Sequence, residues 1–330
     1  MLCRARFALV LLAFSSAAPA FAQDMDVSLA RLGNDDDGDG VFARDDDAYR
    51  SLMTQLGFVL APPVINGART TGLRHFYLGV ETSIVGIDED ADYWRRGTEG
   101  DSMSTTENRF VDGVMTHTRL HLRKGLPYGI ELGLSAGRIF NTSYWTWGGS
   151  VKIALMEGFR EGLAAWIPDI AIRGSVQTLS GADEFNLIVP SLDVILSKPL
   201  VLGRTVVLTP VLGAQFMWIA ADSESVDLTP GRDQWAECEN RVDRSREEDP
   251  PWTLPTPACT GSSLDYDNET EFPRLRVFRP RLVLGFTVRY QLLQIGATAH
   301  WDLQAPTSDG DVPSGTARQF NITLSAGVQY

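Results

Sequence analysis

The feature that most constrains this chain is a strict alternation of apolar and polar residues. Near its end, Phe320, Ile322, Leu324, Ala326, Val328 and Tyr330 are apolar, and every residue between them is small or polar. A period of two is the side-chain period of a β-strand, so the segment predicts a strand with one apolar face. Taken alone, this pattern also fits a soluble exported β-protein.

The same alternation recurs upstream, and there the polar face carries charges. In residues 278–290, Leu282 and Leu284 alternate with Arg279, Arg281 and Arg289. Charges on the inner face of strand after strand would be costly in the core of a soluble sandwich. A barrel with lipid outside and water inside accommodates them. The predicted fold is therefore all-β, an antiparallel transmembrane β-barrel.

The strand pattern also predicts the size and orientation of the barrel. Strands are expected near 73–86, 109–123, 130–137, 145–155, 162–178, 185–198, 204–221, 278–290, 293–303 and 319–330. This gives about ten strands, within a range of about 8 to 12. Connections are short after the even-numbered strands, and long after the first, seventh and ninth. Because such barrels keep short turns in the periplasm and long loops outside, the barrel should begin and end on the periplasmic side, with its largest external loop near 221–274.

The first residues have the form of a secretory signal peptide. Arg4 and Arg6 precede an apolar run, and Ala20, Phe21 and Ala22 form an A-x-A cleavage site. The alternative, a membrane anchor, would need about 20 apolar residues. The expected organisation is a signal peptide at 1–22, an acidic segment at 23–71 and the barrel at 72–330.

Two cysteines, Cys238 and Cys259, are left after signal-peptide removal, and both fall in the largest loop. Because the exported chain leaves the reducing cytoplasm, a disulfide between them is expected; metal binding by the pair is the alternative. The net charge of -13 argues against a nucleic-acid partner.

Tyr330 carries a resemblance to the bacterial outer-membrane β-barrel superfamily, whose members commonly end in an aromatic residue. The resemblance covers about residues 72–330 and implies an outer-membrane location, contact with outer-membrane lipid and insertion by the barrel assembly machinery. Aromatic residues near the expected strand ends are typical of interfacial girdles. They are Phe76, Tyr144, Trp145, Trp147, Trp166, Trp218, Tyr290 and Trp301.

The acidic segment contains a candidate calcium loop. Asp35, Asp37 and Asp39 occupy alternate positions, Val41 stands where a backbone carbonyl would bind, and Asp46 stands at the last position. The spacing is similar to the loops of dockerin and thrombospondin type 3 repeats, and it implies calcium as a cofactor. The alternative is an acidic, solvated linker. After the loop, residues 48–60 predict a short amphipathic helix that ends at Pro62 and Pro63, and that plugs the barrel from the periplasmic side or packs beneath it.

The charged residues of the polar faces are the candidate lumen residues. We expect cations and acids among them to pair across a narrow barrel. A metal shared by two neighbouring histidines is the alternative. The set comprises Glu81, His117, Arg119, His121, Arg123, Glu131, Lys152, Asp169, Arg173, Asp193, Arg279, Arg281, Arg289, His300 and Asp302.

The sequence is compatible with three functions. The helix, the prolines and the glycine-containing lead-in to the first strand loosely resemble the N-terminal hatch of the larger fatty-acid channel family. That likeness favours an outer-membrane channel or transporter for a small molecule. The second reading is a non-conducting structural or adhesive barrel acting through its disulfide-tied external loop. The third, a hydrolase at the external rim, lacks the histidine and acid pair of the omptin proteases, so no enzyme activity is expected.

Overall fold

Ten long antiparallel strands dominate the fold. The computed structural model describes residues 24–34, 43–100, 107–158, 167–203, 205–228, 269–304 and 318–330. The strands are β1 (Phe76–Gly86), β2 (Val114–Gly125), β3 (Ile130–Ile139), β4 (Trp145–Met156), β5 (Asp169–Ser180), β6 (Phe185–Ser197), β7 (Val206–Ser223), β8 (Leu275–Tyr290), β9 (Leu293–Asp302) and β10 (Phe320–Gln329).

Each strand pairs with the next one along the chain, and the last pairs with the first. The closing pair joins β10 to β1, with Ala326 opposite Val80. A further short strand (Leu200–Leu202) pairs only with the beginning of β7. The predicted closed barrel of about ten strands is therefore confirmed. Two strands begin later than expected, β2 at Val114 and β5 at Asp169, so the connection after β4 spans 157–168 and is longer than predicted.

The barrel exterior is apolar along the strands. On β10, Ile322 and Leu324 are 41% and 49% exposed, whereas the adjacent Asn321, Thr323 and Ser325 are buried. Exposed apolar side chains recur on the outward face of every strand, and a continuous surface of this kind is unfavourable in water. It matches the lipid-facing surface of a membrane barrel. Among the described residues, none of the helices is long and apolar enough to span a membrane.

Aromatic side chains lie at both ends of this apolar surface. Trp145 and Trp301 are exposed near the long connections, and Tyr290 and Tyr330 are exposed near the short turns. Tyr144 was expected in the same girdle, and that expectation is wrong. Its side chain points into the barrel, where its hydroxyl accepts a hydrogen bond from the Val27 amide at 2.7 Å.

The segment before the barrel lies inside it. A 3-10 turn (Leu29–Leu32) and helix α1 (Asp46–Leu60) pack with a short helix α2 (Asp92–Arg96) from the connection after β1. Helix α1 begins where the Asp45 carboxylate accepts a hydrogen bond from the Ala48 amide, and it ends before Pro62. We call residues 24–34, 43–60, 87–100 and 107–112 the cap.

Helix α1 occupies the end of the barrel with the long connections. Its apolar residues pack against Val85 at the end of β1, Met115 at the start of β2, and Ile219 near the end of β7. The helix was expected at the end with the short turns, where it would plug the barrel or pack beneath it, and that expectation is wrong. Sequence periodicity predicts the helix, but the apolar partners that fix its position belong to strand ends far away in the chain.

From the helix, the chain crosses the whole barrel. Residues 61–72, which we call the plug segment, run from the end of α1 through the lumen to the short turns, where β1 begins. They have neither helical nor sheet hydrogen bonding. At the exit, Gly72 has a φ of 87°, and a Cβ at Gly125 would lie 2.4 Å from the Gly72 carbonyl oxygen. Glycine at both positions allows the plug segment to pass close to β2.

Candidate functional site: the filled lumen

The plug segment is held by barrel side chains that bind its main chain. Because Pro62 and Pro63 have no N–H group, their carbonyl oxygens are the main-chain atoms that need partners. Gln215 donates to the Pro62 carbonyl at 2.9 Å, and Arg173 donates to the Pro63 carbonyl at 2.8 Å. Arg119 donates to the Ala61 carbonyl at 3.2 Å. The predicted lumen cations thus also act as ligands for a peptide.

Further down the lumen, main-chain amides of the plug segment donate to barrel acceptors. The Val64 amide donates to His300 Nε2 at 3.1 Å, and the Ala68 amide donates to Ser197 Oγ at 2.8 Å. The Lys152 ammonium donates to the carbonyls of Gly67 and Arg69. Each of these groups would otherwise be a buried polar group without a partner, which is costly. The plug segment is therefore bound specifically, in one register.

Ion pairs and hydrogen bonds between neighbouring strands support the same side chains. Arg173 contacts Asp193 at 2.6 Å, and His121 contacts Glu81 at 2.5 Å. Glu131 receives both Lys152 at 2.9 Å and the Thr71 amide at 2.7 Å. Buried charges are tolerated when they are paired and hydrogen-bonded. Additional pairs are Arg123 with Glu131, Arg279 with Asp302, and Arg69 of the plug segment with Asp169.

The structure places fourteen of the fifteen predicted lumen residues in buried positions, and Arg289 is exposed at the short-turn mouth. The neighbouring histidines do not converge on a shared site. His117 contacts the Val59 carbonyl and the Thr146 hydroxyl through its two ring nitrogens, and His121 contacts Glu81. In the described part of the chain, no group of three or more histidine, cysteine or acidic side chains could hold a metal ion.

Little space is left in the middle of the lumen. A cavity of about 20 Å³ lies between Pro62 and Pro63 and the inner faces of β1 to β5. A single water needs about 10 to 15 Å³ measured in this way. The cavity therefore has room for about one water, and the plug segment occupies the path that a solute would take.

A much larger cavity opens at the short-turn mouth. Its volume is about 340 Å³, and it lies between the end of the plug segment and the ends of β7 and β8. Among the described residues, four basic side chains and no acidic one line it: Arg69, Arg123, Lys198 and Arg289.

At the opposite end, two carboxyl groups connect the cap to the barrel, and a third, Glu99, lies within the cap. Asp26 accepts a hydrogen bond from the Ser143 amide at 2.7 Å, and Glu184 accepts one from the Leu29 amide. Burial raises the pKa of Asp26, Glu99 and Glu184 above their ordinary values, because it disfavours the charged form. Neighbouring acids add to this effect at Glu99 and Glu184.

Most of the predicted calcium loop lies outside the described residues, which include only its last member. Asp46 is the first residue of α1, and its carboxylate contacts Arg44 at 2.8 Å. Asp35, Asp37, Asp39 and Val41 lie outside the described ranges, as do Cys238, Cys259, Trp166 and residues 1–22. The calcium, disulfide and signal-peptide expectations therefore stay predictions.

Two groups of residues in this site were missed at the sequence level. One is the uncharged polar set on the inner strand faces, including Ser197 and Gln215; the period-two parity of β6 and β7 places them beside predicted lumen residues, so their position was recoverable. The other is the plug segment itself. It has no periodic pattern, because its polar groups are satisfied by side chains from many strands.

Comparisons with known proteins give structural likenesses only. No protein-family model matches the chain, and no curated protein is similar to it in sequence. Among solved structures, it is similar to Ail, the attachment invasion locus protein of Yersinia pestis, with 10% identity, a TM-score of 0.25, and coverage of 78% of this chain and 98% of that chain.

Two other structures show a likeness of the same order. For the N-terminal β-barrel domain of Pseudomonas aeruginosa OprF, the identity is 9%, the TM-score 0.26, and the coverage 76% of this chain and 97% of that chain. For the translocator domain of the autotransporter NalP from Neisseria meningitidis, the identity is 13%, the TM-score 0.33, and the coverage 79% of this chain and 88% of that chain. Because these likenesses are weak, the fold assignment rests on the strand pairing within this chain.

Proposed function

We propose that this chain is an outer-membrane barrel that is closed to solutes and that acts through the cap and long loops at its external end, as a structural or adhesive surface protein. The observation that carries the proposal is the filled lumen. The plug segment crosses the barrel, and side chains of several strands bind its main chain. An outer-membrane location is supported by the apolar exterior, the aromatic ends and the contrast between short turns and long connections.

The cap supports a role at the external end. Its helix α1 shares an apolar core with the strand ends, so the long connections emerge from a packed base. Arg31 of the cap donates to the carbonyls of Thr98 and Glu99, and Arg96 contacts Asp45 at 2.7 Å. These contacts join the segment before the barrel to the connection after β1. A firmly held surface of this kind favours binding over passage.

A second candidate, gated transport of a small molecule, is favoured by a separate observation. The barrel closes through the pairing of β10 with β1 without any strand from the plug segment. Withdrawal of residues 61–72 would therefore leave the sheet intact, and it would uncover a charged lumen. In this candidate function, the resting form is closed, and a ligand or partner must displace the plug segment.

The proposal is tested by locating the cap on intact cells. An epitope inserted after Gly100 should be detected by antibody without permeabilisation, because this position lies at the end with the long connections. The matched control is the same epitope at Tyr128, in a short turn, which should require permeabilisation. The opposite pattern would contradict the proposed orientation and, with it, a function at the cell surface.

Solute flux separates the two candidate functions. Vesicles that contain the purified chain should retain a small entrapped dye as well as protein-free vesicles do, if the barrel is closed. Leakage that appears only on addition of a candidate substrate would favour gated transport, and leakage without any addition would contradict both candidates.

We also propose that calcium orders the acidic loop ahead of α1, since Asp46 at the end of the loop begins the helix. Calorimetric titration with calcium should release or absorb heat in the parent chain but not in the Asp35→Ala/Asp37→Ala variant. Equal heats in the two proteins would rule out this loop as the calcium site.

A further inference from the structure

We propose that the cavity at the short-turn mouth is a binding site for a phosphate ester. The site is independent of the proposed surface function, because it lies at the opposite end of the barrel. It is lined by residues of the plug segment, including Thr70 and Thr71, and by residues near the ends of β6, β7, β8 and β9. Its volume of about 340 Å³ lies in the range of small-molecule pockets, which begins at about 300 Å³.

The basic residues that line the cavity are only partly paired with carboxylates. Arg69 and Arg123 have carboxylate partners, Asp169 and Glu131 respectively. Lys198 donates to the Ile167 carbonyl at 2.8 Å, and neither it nor Arg289 has a carboxylate within 4 Å among the described residues. Two positive charges at one cavity are therefore not neutralised by any described carboxylate within 4 Å, and an anion would neutralise them.

Two hydrogen-bond donors of the lining residues lack partners. Thr71 and Arg123 are both more than nine-tenths buried, and both line the cavity. The Thr71 hydroxyl and Arg123 Nε have no hydrogen-bond partner within the described structure. Buried polar groups without partners are uncommon, and each suggests a group that completes the site.

The mixture of donors indicates the chemical class. Arginine binds tetrahedral phosphate and planar carboxylate through paired N–H groups, and lysine adds a point charge. The remaining lining is uncharged and mixed, with the polar residues Asn66, Thr209, Thr287 and Gln294 and the apolar residues Pro199, Val201 and Val207. The polar side chains suit the hydroxyl groups of an esterified alcohol. A phosphate on a polyol satisfies both parts of the lining.

Two sources could supply this chemistry, a soluble phosphate ester of the periplasm or the headgroup of a phospholipid in the inner leaflet. The probes are therefore sn-glycerol 3-phosphate in detergent solution, and nanodiscs that contain phosphatidylglycerol or only phosphatidylcholine. The full chain is used in each case. Binding is measured by calorimetry for the soluble ester, and by co-purified lipid for the nanodiscs.

The test variant is Lys198→Gln/Arg289→Gln, and the matched control is Lys124→Gln, a basic residue exposed on the outside of the barrel at the same end. We expect the parent and the control to bind glycerol 3-phosphate, or to enrich phosphatidylglycerol, and the double variant to lose at least tenfold in affinity or enrichment. Binding of the soluble ester identifies a periplasmic solute as the source, and enrichment of the lipid alone identifies the headgroup.

Each variant must retain the barrel, as shown by an unchanged circular dichroism spectrum and unchanged electrophoretic mobility without heating. If the double variant fails this check, Arg289→Gln alone is used, because Arg289 is exposed and makes none of the ion pairs described above. Absence of binding to both probes in the parent, or equal binding in the parent and the folded variant, would overturn the proposal. The epitope and flux experiments would keep their outcome in either case.

Discussion

The two halves of the lumen are filled by opposite means. At the cap end, apolar side chains of helix α1 such as Leu52 and Leu56 pack against apolar residues at the strand ends. In the half nearer the short turns, charged and amide side chains of the barrel form hydrogen bonds with the main chain of the plug segment. Apolar packing tolerates small shifts of the helix, whereas hydrogen bonds to a main chain fix its register. The cap thus anchors the chain by burial, and the plug segment seals the lumen by directed contacts.

The largest effect is expected from Arg173→Ala. This change removes the donor to the Pro63 carbonyl and leaves Asp193 buried without its cation. Loss of one partner from a buried pair costs about 3–5 kcal/mol, because the other charge stays uncompensated. Denaturant unfolding of the detergent-solubilised chain should show this loss. Hydrogen exchange should rise in residues 61–72 and stay unchanged in the cap.

The double variant Arg173→Leu/Asp193→Leu is the control for this interpretation. It removes both charges, so it should recover much of the stability while the plug segment remains loose. If the double variant is no more stable than Arg173→Ala, the isolated carboxylate is not the cause of the loss.

Leu52→Ala is expected to cause a smaller loss of stability, and to affect the cap instead of the plug segment. Leu52 is fully buried in the cap core, and removing its side chain leaves a cavity that costs about 2–5 kcal/mol. Because packing can partly relax around a helix, we expect the lower part of this range. Protease sensitivity should rise in the cap, and exchange in residues 61–72 should not change. The control Phe110→Ala, at a side chain that is 70% exposed at the same end, should have little effect.

These first two experiments can also break the comparison. If Arg173→Ala loosens the cap, or Leu52→Ala loosens the plug segment to the same extent, the two halves unfold as a single unit and the distinction between them fails.

The smallest effect is a dependence of cap stability on pH. Burial raises the pKa of Asp26, Glu99 and Glu184, so the folded cap binds protons more tightly than the unfolded chain. Their stabilisation is full below the ordinary carboxyl pKa, and it is lost as the pH rises through the raised values. Mild acidification from neutral pH should therefore slow cap proteolysis. Glu184→Gln should reduce the dependence; slower proteolysis at higher pH would contradict it.

Much of the barrel was predictable from the sequence, and the reason lies in its strands. On β10, lipid outside and polar groups inside impose a period of two, so Ile322 and Asn321 reveal their faces directly. The same alternation predicted which charged residues face the lumen. Helix α1 was predicted from its apolar pattern, and Pro62 and Pro63 marked its end.

The position of the segment before the barrel was not predictable in the same way. Helix α1 is held by residues such as Val85 and Ile219, whose proximity depends on closure of the barrel. Val64 and Ala68 bind through their amides to His300 and Ser197, and a main-chain contact leaves no pattern in the sequence. The path through the lumen therefore required the three-dimensional structure.

Single-channel recording in planar bilayers tests the central claim most directly. With the full chain, we expect no stepwise conductance, because the plug segment crosses the lumen and the cavity beside Pro62 and Pro63 measures only about 20 Å³. A chain that lacks residues 23–71 should show discrete conductance steps once its barrel has inserted. Reproducible steps from the full chain, equal in size to those of the shortened chain, would contradict the account.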